Sequence, residues 1–127
     1  MLIDIDLSSE EPLYRQIRTQ IVRGVATGEL VAGDALPSVR TLAGDLGVNM
    51  HTVNKAYALL RDEGYVTIRG RSGTCIAEGA GTSTQDAAIA AEMRRLAFEF
   101  AAQGGTVDEF AELARASFTG CGKEGAR

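Results

Sequence analysis

Two short apolar repeats between Ser38 and Gly64 leave this chain few ways to fold. Val39, Leu42, Ala43 and Leu46 fall at positions 0, +3, +4 and +7, and Val53, Ala56, Tyr57 and Leu60 repeat that spacing. This is the period of a helix that buries one face. Ser38 and Asn49 stand where N-caps belong, and Gly47 and Gly64 stand where the helices must stop. A Gly-containing turn of about three residues joins the two helices, which makes a helix-turn-helix. β-branched runs at 65–69 and 74–78 then flank the loop Gly70-Arg71-Ser72-Gly73 and predict a hairpin. A helix-turn-helix followed directly by a hairpin is a winged helix.

The flanks add further elements. The alternating opening Leu2-Ile3-Asp4-Ile5-Asp6-Leu7 reads as a short edge strand. Pro12 suits the first turn of a helix in which Leu13, Ile17, Ile21 and Val25 recur every four residues, with Arg15, Arg18 and Arg23 on a solvated face and Gly28 closing it. Past the hairpin, small residues at 79–82 form a linker. Ser83 with Asp86, and Thr106 with Glu109, have capping-box spacing. Ile89, Met93, Leu96 and Phe100 recur at 0, +4, +7 and +11, Gly104-Gly105 breaks that helix, and Val107, Phe110, Leu113, Ala114 and Phe118 line the next. Two helices of about 35 residues in all bury too little surface to stand alone. They must pack on the winged helix, on a second copy of themselves, or on both. The expected fold is α+β and mainly α: a winged helix-turn-helix at 1–78, a linker at 79–84, a two-helix dimerisation tail at 85–119 and a frayed end at 120–127.

Charge decides the class of partner. The chain has 13 basic and 17 acidic residues, a formal net charge of −4, which alone argues against nucleic acid. The total hides an asymmetry, because residues 36–75 carry five basic and three acidic groups while both flanks are acidic. The basic third coincides with the helix-turn-helix and hairpin. At 45% hydrophobic and 24% charged the composition is that of a folded domain. The start has no signal-like pattern, and no apolar run approaches the ~18 residues of a membrane span. A soluble cytoplasmic protein is expected. Cys75, Cys121 and the single His51 fall short of the four ligands of a structural zinc site. Cys75 reads as a small strand residue. No carboxylate pair or Cys-His set offers acid–base or nucleophilic chemistry. The Gly-rich hairpin loop lacks the Gly-x-x-x-x-Gly-Lys-Ser/Thr pattern of a nucleotide-binding loop. Neither an enzyme nor a cofactor is expected. A pocket between the first helix, the linker and the tail has room for a small-molecule effector, but no charged cluster specifies its class.

A helical wheel for the third helix turns His51, Lys55, Ala58 and Asp62 outward, with Thr52 and Asn54 on the flanks. The first turns of a recognition helix meet base edges in the major groove, where Asn pairs bidentately with adenine and Thr meets a base edge or a thymine methyl. Asn49, His51, Thr52 and Asn54 are therefore candidate base readers, with Met50 an apolar contact. Capping and ordinary solvation are the alternative for these side chains. Arg40, next to the cap Ser38, sits at the positive end of a helix dipole. A phosphate or a guanine edge would compensate it, as would pairing with Asp34 or Asp45. Lys55 is either a phosphate contact or solvated. Arg69, Arg71 and Ser72 surround the wing tip, near the backbone or a narrow minor groove.

The run 12–74 resembles the DNA-binding domain of the GntR family of bacterial transcription regulators. The resemblance rests on PLYRQI, GELVAGDALPSVRTLAGDLGV, NMHTVNKAYALLRDEGYV and SGT, and covers about half the chain at fixed spacings. It implies that Arg40 contacts DNA. The chain departs from the pattern at Met50-His51 and at the wing, where Arg71 stands in place of the tip glycine. The two-helix tail is similar to that of the short YtrA-like subfamily, whose tail helices dimerise and whose regulated genes often encode transporters. The resemblance thus implies a homodimeric repressor on double-stranded DNA. Ile89, Met93, Leu96, Phe100, Phe110, Leu113 and Phe118 would form the dimer, and a pseudo-palindromic operator would be read by a recognition helix over about 50–63. The rival reading is a winged-helix protein-interaction module without DNA binding.

Overall fold

The computed structural model describes residues 3–69, 73–79 and 83–119, the side chains of 83–86 excepted. Arg71 and Ser72 of the wing tip, the linker residues 80–82 with the pocket expected beside them, the Ser83–Asp86 box, Cys121 and the terminal 120–127 lie outside the described residues. The element order is α1 (Leu13–Thr27), α2 (Val39–Leu46), α3 (Met50–Asp62), β1 (Val66–Ile68), β2 (Thr74–Ile76), α4 (Ser83–Ala102) and α5 (Val107–Ser117). It is mainly helical, with a two-stranded wing after the helix-turn-helix and two C-terminal helices. Among the described residues no helix is long and apolar enough to cross a membrane.

The core forms where the apolar periods converge. Val53, Ala56, Tyr57 and Leu60 of α3 are all buried, against Ile17 and Ile21 of α1, Leu42 and Ala43 of α2, and Tyr65, Val66 and Ile76 of the hairpin. Ile17, Ile21, Val53, Tyr57 and Leu60 are the largest fully buried side chains. Each contributes about 1.5–3 kcal/mol by leaving water, so α3 is held by its neighbours on its inner side and is free on the other. Gly28 (φ 84°) and Gly47 (φ 71°) end α1 and α2 in the left-handed region that residues with a Cβ avoid.

The hairpin is antiparallel, with Val66 opposite Ile76, Thr67 opposite Cys75 and Ile68 opposite Thr74. Its strands are shorter than the sequence runs, although the Arg69 amide to Gly73 (2.8 Å) and the Ala77 amide to Tyr65 (2.9 Å) extend the pairing at both ends. The loop before α2 supplies a third partner that alternation did not reveal. Gly33 and Leu36 donate to the carbonyls of Ile76 and Thr74, and the Ile76 amide donates to Asp34, at 2.8–2.9 Å. Cys75 is a half-buried free thiol in β2.

Two expectations are corrected. The opening is not an edge strand: among its described residues it runs alongside α1 and takes its backbone partners from side-chain amides. The Asp4 and Asp6 amides donate to Oε1 of Gln20 (2.9 Å) and Gln16 (2.8 Å), and the two glutamine amides donate back to the carbonyls of Asp4 and Asp6. Glutamines four apart on a helix meet backbone groups two apart on an extended chain, because both steps advance about 6–7 Å. Ile3 and Ile5 thereby pack on the core. The second correction is Arg18, which is not on a solvated face. Its Nε donates to Glu63 at 2.8 Å, and its guanidinium lies 5.7 Å from the centre of the Tyr65 ring. Burial pushes the Tyr65 phenol up from its ordinary pKa, with Arg18 opposing and Glu63 assisting.

In the tail, α4 and α5 pack on each other through Phe100 and Phe110, whose ring centres are 5.6 Å apart. The Thr106–Glu109 capping box forms, with both reciprocal bonds present at 2.9 and 3.2 Å. Among the described residues, none of either helix joins the winged-helix core. A Cβ built on Gly105 would overlap the Phe100 ring, so the break between the helices is fixed by packing at Gly105 as well as by the φ of 93° at Gly104. Gly105→Ala is therefore expected to displace Phe100 and cost the tail about 1–3 kcal/mol. The expected readout is loss of the Phe100–Phe110 ring contact in NMR spectra whose winged-helix signals are unchanged.

Candidate nucleic-acid interface

The exposed side of the helix-turn-helix is assembled by caps and by one buried phenol. Ser38 Oγ accepts the Thr41 amide at 3.0 Å and Asn49 Oδ1 accepts the His51 amide at 2.7 Å, so α2 and α3 each start from a side-chain cap. Neither helix has an acidic residue in its first turn. The partial positive charge of both N-termini is therefore left uncompensated by the helices themselves. The start of α2 is tied to the middle of α3 by Tyr57, whose hydroxyl donates to the Pro37 carbonyl at 2.7 Å. The bond reaches from the buried side of α3 to the residue before the α2 cap.

The candidate residues fall into three groups. Met50, His51, Asn54 and Lys55 are exposed along the outer side of α3, with Thr52 half-buried beside them. Ser38 and Asn49 are exposed but spend one oxygen each on capping, which leaves the Asn49 amide nitrogen free to donate outward. Arg40 is exposed in the first turn of α2 and forms no ion pair with Asp34 or Asp45, the intramolecular partners that its sequence context offered. Asp34 instead accepts the Val31 amide at 3.0 Å. Arg69 is exposed at the hairpin end. The acids of this region sit at the opposite ends of the helices: Asp45 near the end of α2, Asp62 beside Arg61, and Glu63 paired with Arg18.

Sequence reasoning missed the role of Tyr14. The Lys55 ammonium lies 4.3 Å from the centre of its ring and the Arg15 guanidinium 5.9 Å from it. The only available signal was the aromatic in PLYRQI, and nothing in a one-dimensional reading links it to a lysine on another helix.

A family model described as "Bacterial regulatory proteins, gntR family" matches residues 13–76, the stretch that holds α1 to β2. The chain belongs to the GntR family. It is a DNA-binding transcriptional regulator, and the family is not an enzymatic one. The chain is 44% identical over 88 residues to the HTH-type transcriptional regulator Rv1152 of Mycobacterium tuberculosis, a match covering 69% of this chain and 73% of the relative. It is 46% identical over 83 residues to the HTH-type transcriptional repressor YtrA of Bacillus subtilis, covering 65% of this chain and 63% of the relative. Among solved structures, a transcriptional antiterminator from Listeria monocytogenes superposes with a TM-score of 0.82 at 27% identity, over 92% of this chain and 90% of that one. These two curated relatives are short YtrA-like regulators.

Burial pushes the Tyr57 phenol up to about 12, so the folded chain keeps its donated proton well past the ordinary value near 10. Tyr57→Phe is expected to cost about 1 kcal/mol at neutral pH, where the lost hydroxyl leaves the Pro37 carbonyl without its partner. Because the neutral phenol is favoured by the fold, this advantage is complete below the unfolded-state value. It drains away as pH rises towards the folded-state value of about 12. Urea melts of both proteins across the alkaline range check this: the stability gap should narrow as pH rises.

Proposed function

We propose that this regulator is a homodimeric repressor that places the α3 N-termini of its two winged helices in successive major grooves of a pseudo-palindromic operator, about 34 Å apart on one DNA face. The observation that carries this reading is the acid-free pair of capped N-termini, with Arg40, His51 and Asn54 exposed beside them. His51, Asn54, Thr52 and the Asn49 amide read base edges, Met50 adds an apolar contact, and Arg40 meets a phosphate or a guanine fork. The wing, with Arg69, Arg71 and Ser72, lies against the backbone or minor groove. Repression rather than activation is the role named for the Bacillus subtilis relative, and it is adopted here on that likeness.

The dimer is assigned to the tail, residues 85–119. Phe100 and Phe110 are half-buried against each other, yet Ile89, Met93, Leu96, Leu113 and Phe118 remain exposed. Ile89, Met93 and Leu96 continue the line of Phe100 along one side of α4, and α5 meets that line through Phe100 while leaving the other three exposed. A second copy supplies the missing cover, and pairing raises the effective concentration of the second DNA-reading module.

Two measurements test the proposal. Footprinting on the DNA upstream of the gene should protect a two-half-site sequence, and Arg40→Ala should lower affinity for it by about 1–3 kcal/mol in mobility shifts at matched salt. Unchanged affinity would remove Arg40 from the interface. Leu96→Asp should yield a monomer in light scattering that binds the operator more weakly while the winged helix melts as before. A variant that remains dimeric would exclude the tail as the contact.

A further inference from the structure

Resting on the DNA-binding reading above, we propose that Tyr14 is a positioning residue that holds Lys55 of α3 and Arg15 of α1 as a two-cation clamp for one stretch of DNA backbone phosphate. The ring of Tyr14 is half-buried against the core, so its position is fixed by packing. Lys55 Nζ lies 4.3 Å from the ring centre and Arg15 Cζ 5.9 Å from it. Both are within the range at which the ring quadrupole attracts a cation.

Neither cation has an ion-pair partner among the described residues, although acidic side chains elsewhere in the chain are paired with Arg18, Arg61, Arg95 and Arg115. Both cations therefore remain available to an external anion beside the ring. Glu10 and Glu11 precede Pro12 at the start of α1, and neither is paired with Arg15 or Lys55 among the ion pairs of the described residues. Lys55 shares the outer side of α3 with His51 and Asn54, so the anion adjacent to it when that helix enters a groove is the phosphodiester at the groove edge.

The clamp extends the interface from the helix-turn-helix onto α1 through Arg15. It also gives Tyr14 a duty separate from core packing. Lys55 would be ordered before DNA arrives, which reduces the side-chain entropy lost on binding.

The test is the salt dependence of binding to a labelled duplex of mixed sequence and to the footprinted operator. Each phosphate neutralised releases condensed counterions, so Arg15→Ala and Lys55→Ala should each reduce the slope of log affinity against log salt by about one. The loss should be the same on both duplexes, because phosphate carries no sequence information. Tyr14→Phe keeps the ring and should retain the wild-type slope. Tyr14→Leu should reduce it, and circular dichroism establishes that this variant is folded. If Tyr14→Leu does not fold, Arg15→Ala decides, since that side chain is exposed and absent from the core. A wild-type slope in Arg15→Ala overturns the clamp while leaving the DNA-binding reading intact. Absence of any DNA affinity in the wild type overturns both.

Discussion

The hydroxyl of Tyr57 couples the part of this protein that must be buried to the part that must be exposed. Its ring occupies the centre of the core, touching the side of α3 that never meets solvent, and its oxygen reaches the carbonyl just ahead of α2. One side chain therefore sets where α2 begins relative to α3. A carbonyl at that point would otherwise need water or another donor, and a phenol in the core would otherwise carry an unmatched hydroxyl. Each satisfies the other. The consequence is geometric: the capped start of α2, and with it Arg40, is set against the middle of α3 by this bond.

The remaining contacts brace that pair from both sides. Arg18 reaches from α1 to Glu63 at the far end of α3, covering the Tyr65 ring on the way. The glutamine pair on α1 holds the N-terminal segment, and the 33–36 loop is stitched to β2. α3 is thus fixed at its C-terminal end by charge and along its length by burial. Only its N-terminal turn and outer side are left to solvent. Binding that requires little reordering of the protein keeps more of its contact energy.

What could be read from the sequence follows from the range of each interaction. The core positions of α2 and α3, the glycine stops at Gly28 and Gly47 and the Thr106–Glu109 box are set by residues within a turn or two of one another, and periodicity exposes them. Arg18 and Glu63 stand 45 residues apart, and no local pattern distinguishes an arginine on a solvated face from one folded over a tyrosine. The opening alternates as a strand does, yet it pairs with glutamine side chains. The alternation reflects one side packed on α1, which is also what makes a strand alternate. Of the candidate interface, the exposed end of α3 was legible because it is the complement of the buried stripe. The Tyr14 platform was not, since it forms only when two helices cross.

An acidic protein that binds a polyanion must separate its charges, and helix polarity does much of that separation here. The acids of the DNA-reading region stand at or near the C-terminal ends of α2 and α3, and Glu63 is neutralised by Arg18. An acid at a helix C-terminus opposes the local dipole and gains nothing from it, so stability alone would have placed these residues in the first turns. The tail shows that ordinary preference, with Asp108 and Glu109 in the first turn of α5. The contrast between the two arrangements in one chain argues that the acid-free starts of α2 and α3 reflect the partner rather than the fold. Solution ions screen charges beyond about 8 Å at physiological salt, so acids farther than that from the starts of α2 and α3 add little field there. The net charge of −4 therefore coexists with acid-free starts of α2 and α3.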